Sequence, residues 1–587
     1  MSVTLTHLPP PSPDPVPEDR ANRWVVWRSP AGQPRWARPA LLGIALVAAV
    51  LYAWNLSQVD YAPLYSDVVK SMSGSWRAFF YGAADPGATY TLDKLAGSFV
   101  PQVISAKIFG YSAWSLALPQ VIEGVVSVLV MYRIVRRWAG VVPGLLAAGI
   151  FTLTPVAASM FGHSMEDGAL VMCLVLAADS YQRAVLEGRL RSLVWAGVWV
   201  GLGFQAKMLQ AWVILPALVI GYLLTAPIDL GRRVRHVGIA GVVMLAVSLS
   251  WVALYTVTPA SARPYVSGST NNSAVAMVFG YNGLGRFGIT LPGAAAPTDR
   301  SSGGPVLGPT GQAGQDSGNV GPLANGGQPT GQGQDSGNVG PLANGGQPTG
   351  QGQDSGNVGP LANGGQPTGQ DQAGGDDPKA ESRTDPLTGP QKLFDGHLGV
   401  AIGWLFPLTL LALLCGLWWW RRAERTDPVR GGLVMWGVWL LTFGLLFSVG
   451  GVAHTAYVAS LAPAVAALSA LGIVVFWRAY QRGGRQAWAL PIAVAAELAW
   501  GSWLWSHYPN FLPWAKWGTL ALGVAALVVL VLARVVKSAP TRLVTAGLAL
   551  GVAVMLAAPA TYAISVLDPD YSGSSFDANA GPASGSA

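Results

Sequence analysis

Charged residues are scarce in this 587-residue chain. Asp, Glu, Lys and Arg make up 11% of it, against 51% hydrophobic residues. A soluble protein carries about 25% charged residues, so the deficit means that much of the surface faces lipid. Cysteine is scarcer still. Cys173 and Cys415 both lie inside apolar runs, too few and too buried for a disulfide framework. No Cys/His spacing suits a metal, and neither a phosphate-binding glycine loop nor a nucleotide fold is present. The net charge of +7 would suit nucleic acid. The arginines, however, sit in short loops between apolar runs, which is the positive-inside pattern, so no nucleic-acid partner is expected.

Apolar length is abundant. A membrane span needs about 20 apolar residues. Candidate spans lie near 39–56, 113–132, 141–159, 168–182, 192–205, 208–225, 237–257, 399–419, 432–450, 456–476, 487–505, 514–533 and 543–563. The 24 Trp and 17 Tyr suit belts at the two membrane surfaces. The apolar run at 39–56 has no clean small-residue cleavage site after it and reads as an uncleaved first span.

Basic residues recur in alternate loops: Arg133, Arg136 and Arg137; Arg183, Arg189 and Arg191; Arg232, Arg233 and Arg235. The alternation continues with Arg421, Arg422, Arg425 and Arg430, then Arg478, Arg482 and Arg485, then Arg534, Lys537 and Arg542. The expectation is a cytoplasmic N-terminus and an extracytoplasmic C-terminus. Five regions follow: a Pro/Arg-rich cytoplasmic tail, 1–38; a membrane core, 39–290, with a first outer loop at 57–112; an insert, 291–391; a C-terminal bundle, 392–566; and an outer tail, 567–587. The insert repeats GQDSGNVGPLANGGQPTGQ, with Asp316, Asp335 and Asp354 marking a 19-residue step. It has no aromatic residues and cannot bury enough apolar area to offset chain entropy, so it is expected to be a disordered tether. A wall-binding or adhesive role is the alternative.

Acids and bases gather on the outer side. Asp60 and Asp67 follow the first span, seven residues apart, a spacing that could place both on one side of a helix. Asp93-Lys94 comes later in the same loop, and Glu166 and Asp167 open another span. Acids at a helix start also suit its dipole. Lys207, between two spans on the outer side, runs against the charge bias and reads as functional or as a snorkelling side chain. A polar stretch holds Arg263, Tyr265, Asn271, Asn272, Tyr281, Asn282 and Arg286, residue types that bind sugar or phosphate and that also build tight loops. His454 and Tyr457 lie in a further outer loop. Together these describe an outward cavity whose carboxylates offer a general base and whose Lys and Arg offer charge stabilisation for phosphate.

At these stretches the sequence resembles the bacterial family 39 membrane glycosyltransferases of the GT-C fold, in particular the actinobacterial and Bacillus-type mannosyltransferase-like subgroup. The class also includes the lipid A aminoarabinose transferase and the protein O-mannosyltransferases. The stretches are TLDKLAG at 91–97, VGLGFQAKMLQAW at 200–212, RPYVSGSTNNS at 263–273, FGYNGLGR at 279–286, KLFDGHLGVAIGWLFPL at 392–408 and HTAYVASLAPAVAAL at 454–468. The resemblance implies an all-α integral membrane bundle of the GT-C type with about 13 transmembrane helices. It implies an inverting transfer from a polyprenyl-phosphate sugar to an envelope glycan, lipid or protein acceptor at the bacterial plasma membrane. It further implies Asp60, or Asp67, as base or metal-associated carboxylate, which leaves a divalent cation open. Lys94, beside Asp93, would bind the donor phosphate. Lys207, Arg263, Tyr265, His454 and Tyr457 join the donor site, with Glu166 and Asp167 as secondary acids.

The sequence departs from the family pattern at Leu95-Ala96, where the family has two prolines, and at Thr455, where a proline follows the histidine. Two alternatives remain: a transporter or flippase of lipid-linked glycans, and a catalytically silent binder of them.

Overall fold

A computed structural model describes residues 27–30, 32–296, 390–394, 396–451, 454–536, 541–575 and 577–582. The insert repeats and the first 26 residues lie outside the described residues. Among the described residues the architecture is helical, with only isolated β-bridges. Ten helical runs among the described residues are long and apolar enough to cross a membrane. The run Leu190–Thr225 is a hairpin of two. Its two limbs meet at Met208, whose φ is 45°. Gly188 packs against Pro227 and Ile228, so both ends of the run lie at one level. The shorter apolar helices Ala37–Ala53 and Val141–Thr152 complete the thirteen segments expected.

Local signals set the helix starts. Asp229 accepts the Arg232 amide at 3.0 Å and Asp427 that of Arg430 at 2.8 Å, so each carboxylate satisfies a first-turn donor. Leu408, in the first turn of Phe406–Trp419, has its amide taken by Glu497 of another helix at 2.7 Å. Thr455–Arg482 is the most buried span and Pro513–Val535 the least. The centre is filled by large rings, including Trp436, Trp439, Tyr52 and Phe161. Leu230–Val257 instead leaves Val242 and Leu245 exposed, as a helix facing lipid should.

The two ends of the bundle differ in charge. At one end Asp179, fully buried, binds Arg133, Arg137 and Arg183 at 2.6–2.7 Å. Asp167, twelve residues earlier on the same helix, stands about 18 Å away at the other end. Arginines from the helices Ala113–Ala139 and Asp167–Glu187 thus gather at one end, while Asp167 and Lys207 mark the opposite one.

Asp60 and Asp67 do not share a helix. Asp60 lies in an irregular stretch, and Asp67 falls in the first turn of Tyr65–Gly74. Pro63, and Leu64 with a φ of 63°, interrupt the chain between them.

Candidate functional site

The site is built where the first outer segment meets the segment that follows Val257. The Thr91 amide donates to the Tyr265 carbonyl, and the Tyr265 amide donates to the Thr89 carbonyl, both at 2.8 Å. Asn282 donates its side-chain amide to the Asp93 carbonyl at 2.6 Å. Gly97 then packs directly on the hairpin limb: a Cβ there would stand 2.5 Å from the Gln205 carbonyl oxygen. Only glycine permits that approach, and the approach sets Lys94 beside Lys207.

Lys94 Nζ donates to the Tyr65 hydroxyl at 2.7 Å and to Glu166 Oε1 at 3.1 Å. Lys207 Nζ donates to Asp167 Oδ2 and lies 3.7 Å from the same Glu166 oxygen. One carboxylate therefore bridges two lysines. Lys207 also sits 4.0 Å from the centre of the Tyr457 ring, a cation–π contact. His454 packs edge-on against Tyr457, with ring centres 5.8 Å apart.

Of these groups Lys94, Glu166, Lys207 and Tyr457 line a cavity of about 550 Å³. Lys94, Glu166, Lys207, Asn282, Arg286 and Tyr457 form its polar part. Leu209, Trp212, Phe279, Leu446 and Phe447 form an apolar part. Arg286 stands apart from the other cations, because its guanidinium has no ion pair or side-chain hydrogen bond among the described residues; the Tyr281 ring lies 6.0 Å away, and Tyr457, Asp93 and Tyr65 are near enough to act on its charge. Three cations, Lys94, Lys207 and Arg286, thus meet the carboxylates of Glu166 and Asp167, with the Asp93 carboxyl nearby. A second cavity, about 300 Å³, is lined almost wholly by apolar side chains and offers no chemistry.

Burial and charge act against each other here. Burial pushes the Glu166 carboxyl up, but Lys94 and Lys207 outweigh it and hold the group well below its ordinary range. Burial works to lower the Lys94 ammonium, and Glu166 and Tyr65 reverse this and hold it well above its usual value. Asp93 is raised by its burial. His454 is lowered to about 4, by burial and then by Lys207, so it is neutral at physiological pH. Among the described residues no group of three or more His, Cys, Asp or Glu could hold a metal ion.

The structure thus brings together Lys94, Lys207, Glu166, Asp167, His454 and Tyr457, with Asp93 near enough to act on Lys94 and Glu166. It holds four other expected residues apart from the cavity wall. Arg263 clamps its own loop, donating to the Asn272 side chain at 2.6 Å and to the Asn272 carbonyl at 2.7 Å. Tyr265 donates to the Ser269 carbonyl at 2.7 Å. Asp60 and Asp67 are exposed, make no ion pair among the described residues and do not line the cavity. Tyr65 joins the site with no sequence signal beyond its nearness to Asp67, while Asn282 and Arg286 join it from the polar stretch whose residue types suit sugar or phosphate.

Comparison with known proteins agrees in kind. Residues 99–251 match the family model described as dolichyl-phosphate-mannose-protein mannosyltransferase. The mannosyltransferase-like protein YycA of Bacillus subtilis (strain 168) is 33% identical over 503 residues, covering 84% of this chain and 72% of that one. An undecaprenyl phosphate-alpha-4-amino-4-deoxy-L-arabinose arabinosyl transferase of Pseudomonas fluorescens is 28% identical over 229 residues, 37% of this chain and 38% of the relative. Among solved structures, ArnT from Cupriavidus metallidurans, bound to undecaprenyl phosphate, aligns at 16% identity with a TM-score of 0.46, covering 89% of this chain and 77% of ArnT.

Proposed function

Because this chain belongs to the bacterial family 39 membrane glycosyltransferases that include YycA, we propose that it moves a sugar from a polyprenyl-phosphate donor to an acceptor hydroxyl outside the cell. One observation carries this reading: a single cavity joins three cations to an apolar wall. The donor has the same two parts, an anionic phosphodiester and a long hydrocarbon chain. Lys94, Lys207 and Arg286 would face the phosphate, and Phe279, Leu446 and Phe447 the first isoprene units. Arg286, which makes no ion pair among the described residues, suits the single negative charge of the diester.

In the proposed reaction the acceptor oxygen attacks the anomeric carbon, and the carbon–oxygen bond to phosphate breaks. The phosphate leaves with the electron pair, and the configuration inverts. Cations that stand ready for the leaving charge stabilise the transition state without reorganising. The acceptor proton needs a base. Glu166 is held as an anion by two lysines, which makes it a poor proton acceptor and a good support for Lys94. Asp60 and Asp67 make no ion pair among the described residues, and we assign the base to one of these exposed carboxylates, Asp60 first. The cavity then opens on the extracytoplasmic face of the bacterial plasma membrane, with the arginine-rich end in the cytosol. The acceptor is an envelope glycan, lipid or protein.

The test uses the full chain in lipid nanodiscs with undecaprenyl phosphate and a panel of its radiolabelled monosaccharide derivatives. Lys94→Ala and Lys207→Ala should each weaken undecaprenyl-phosphate binding. Asp60→Asn should leave that binding intact and stop sugar transfer. Binding unaffected by either lysine change would overturn the donor site. Full transfer by both Asp60→Asn and Asp67→Asn would overturn the base.

A further inference from the structure

The segment after the last span folds back over the site's end of the bundle. Asn55 donates to the Val566 carbonyl at 2.5 Å, and Ser159 donates to the Ser572 carbonyl at 2.6 Å. Ala578 and Ala580 are buried. Gly573, with a φ of 81°, turns the chain where a Cβ would stand 2.5 Å from Ser159 Oγ and 2.7 Å from the Asp577 carbonyl oxygen. This turn presents the Asp577 side chain to Thr455. Thr455 donates its amide to Asp577 Oδ1 at 3.1 Å and its hydroxyl to the same oxygen. Asn579 donates to the other carboxylate oxygen at 2.6 Å.

Thr455 is the first residue of the run Thr455–Arg482, where amides lack a preceding helical carbonyl. Asp577 therefore acts as a cap brought from far along the chain. A carboxylate is also the favoured charge at that end of a helix. Threonine suits the contact because it offers two donors. Proline, which the resembled pattern has at this position, offers none. Tyr457 follows two residues later. Its carbonyl accepts from Gln210 at 3.2 Å, and its ring faces Lys207. The capped turn thus continues directly into the ring that holds the Lys207 ammonium.

We infer that Asp577 is a positioning residue for Lys207: it fixes the first turn of Thr455–Arg482 and, through it, the Tyr457 ring beside the Lys207 ammonium. The inference rests on the reading of Lys207 as a ligand of the donor phosphate.

A double-mutant cycle on the full chain in nanodiscs tests it, with two readouts: undecaprenyl-phosphate affinity and hydrogen exchange at 455–461. Asp577→Ala should weaken binding about fivefold, the usual scale for a lost cap. It should speed exchange at 455–461. In a Lys207→Ala background it should cause no further loss of affinity. Thr455→Ser, which keeps both donors, should bind like the parent. Thr455→Val should fall between the two and serves as the readout if Asp577→Ala does not fold. Unchanged exchange, unchanged affinity in Asp577→Ala, or a loss that adds fully to that of Lys207→Ala would each overturn the inference. If Lys207→Ala itself binds normally, the phosphate reading falls and this inference falls with it. If Lys207→Ala binds weakly and Asp577→Ala binds normally, only the positioning role falls.

Discussion

Arg286→Met should separate binding from stability more cleanly than any other change in the cavity. Lys94 and Lys207 are committed to Glu166 and Asp167, so their charges are largely spent inside the protein. Arg286 makes no ion pair among the described residues and lines the same cavity. It supplies a charge not committed to an ion pair, which an incoming phosphodiester would meet. A hydrogen bond to a charged group contributes about 1.5–3 kcal/mol, so removing the guanidinium should weaken undecaprenyl-phosphate binding about 10- to 150-fold. Arg286→Lys keeps the charge without the two-pronged donor and should fall between parent and methionine variant. Because no ion pair is broken, the unfolding midpoint of Arg286→Met should hold or rise. Lys94→Met should behave differently. It leaves the buried Glu166 carboxylate with only Lys207, at 3.7 Å, and breaking such a pair costs about 3–5 kcal/mol. The assay is ligand titration by native mass spectrometry, with thermal unfolding in the same detergent. Parent-like affinity in Arg286→Met would refute the charge argument, and so would a loss of stability as large as that of Lys94→Met.

Two further changes follow from the same geometry. Glu166 is held below its ordinary range in the folded protein, so the unfolded chain takes up the proton first as acid is added. The stability it contributes is fully present above its ordinary value of 4.5 and is lost as pH falls from there towards the depressed folded value. Thermal unfolding between neutral pH and pH 3 should therefore show a smaller acid-induced loss in Glu166→Gln than in the parent; parallel curves would refute the role of the two lysines. Gly97→Ala places a methyl group 2.5 Å from the Gln205 carbonyl oxygen, and forcing atoms into a packed contact costs about 1–3 kcal/mol. It should lower both the unfolding midpoint and donor affinity, because Lys94 and Lys207 are drawn apart; unchanged affinity would refute the contact's part in setting the site.

The membrane architecture was legible because its cause is local. Each span announces itself through a run of apolar residues, and each basic loop through a few arginines. The hairpin at Leu190–Thr225 is a good case: 192–205 and 208–225 read as two spans, and the chain does reverse at Met208. Glu166 and Lys207 were also legible, since charge beside an apolar run is costly wherever it occurs; Lys94 was legible only through the resemblance of the stretch TLDKLAG at 91–97 to the family.

Partnership was decided only by the tertiary structure. Nothing in the order of residues pairs Lys94 with Glu166, 72 positions away, or Thr455 with Asp577, 122 away. Arg263 and Arg286 look alike in sequence, both being arginines in a polar outer stretch. Folding spends the first on Asn272 and leaves the second in the cavity wall without an ion pair among the described residues. Asp60 and Asp67 show the converse: a helical spacing was undone by a turn at Pro63 and Leu64. Hydrophobicity and charge bias act on each segment alone, so sequence fixes where segments lie relative to the bilayer. A hydrogen bond needs two groups within about 3 Å, and only the packed bundle determines which distant groups come that close.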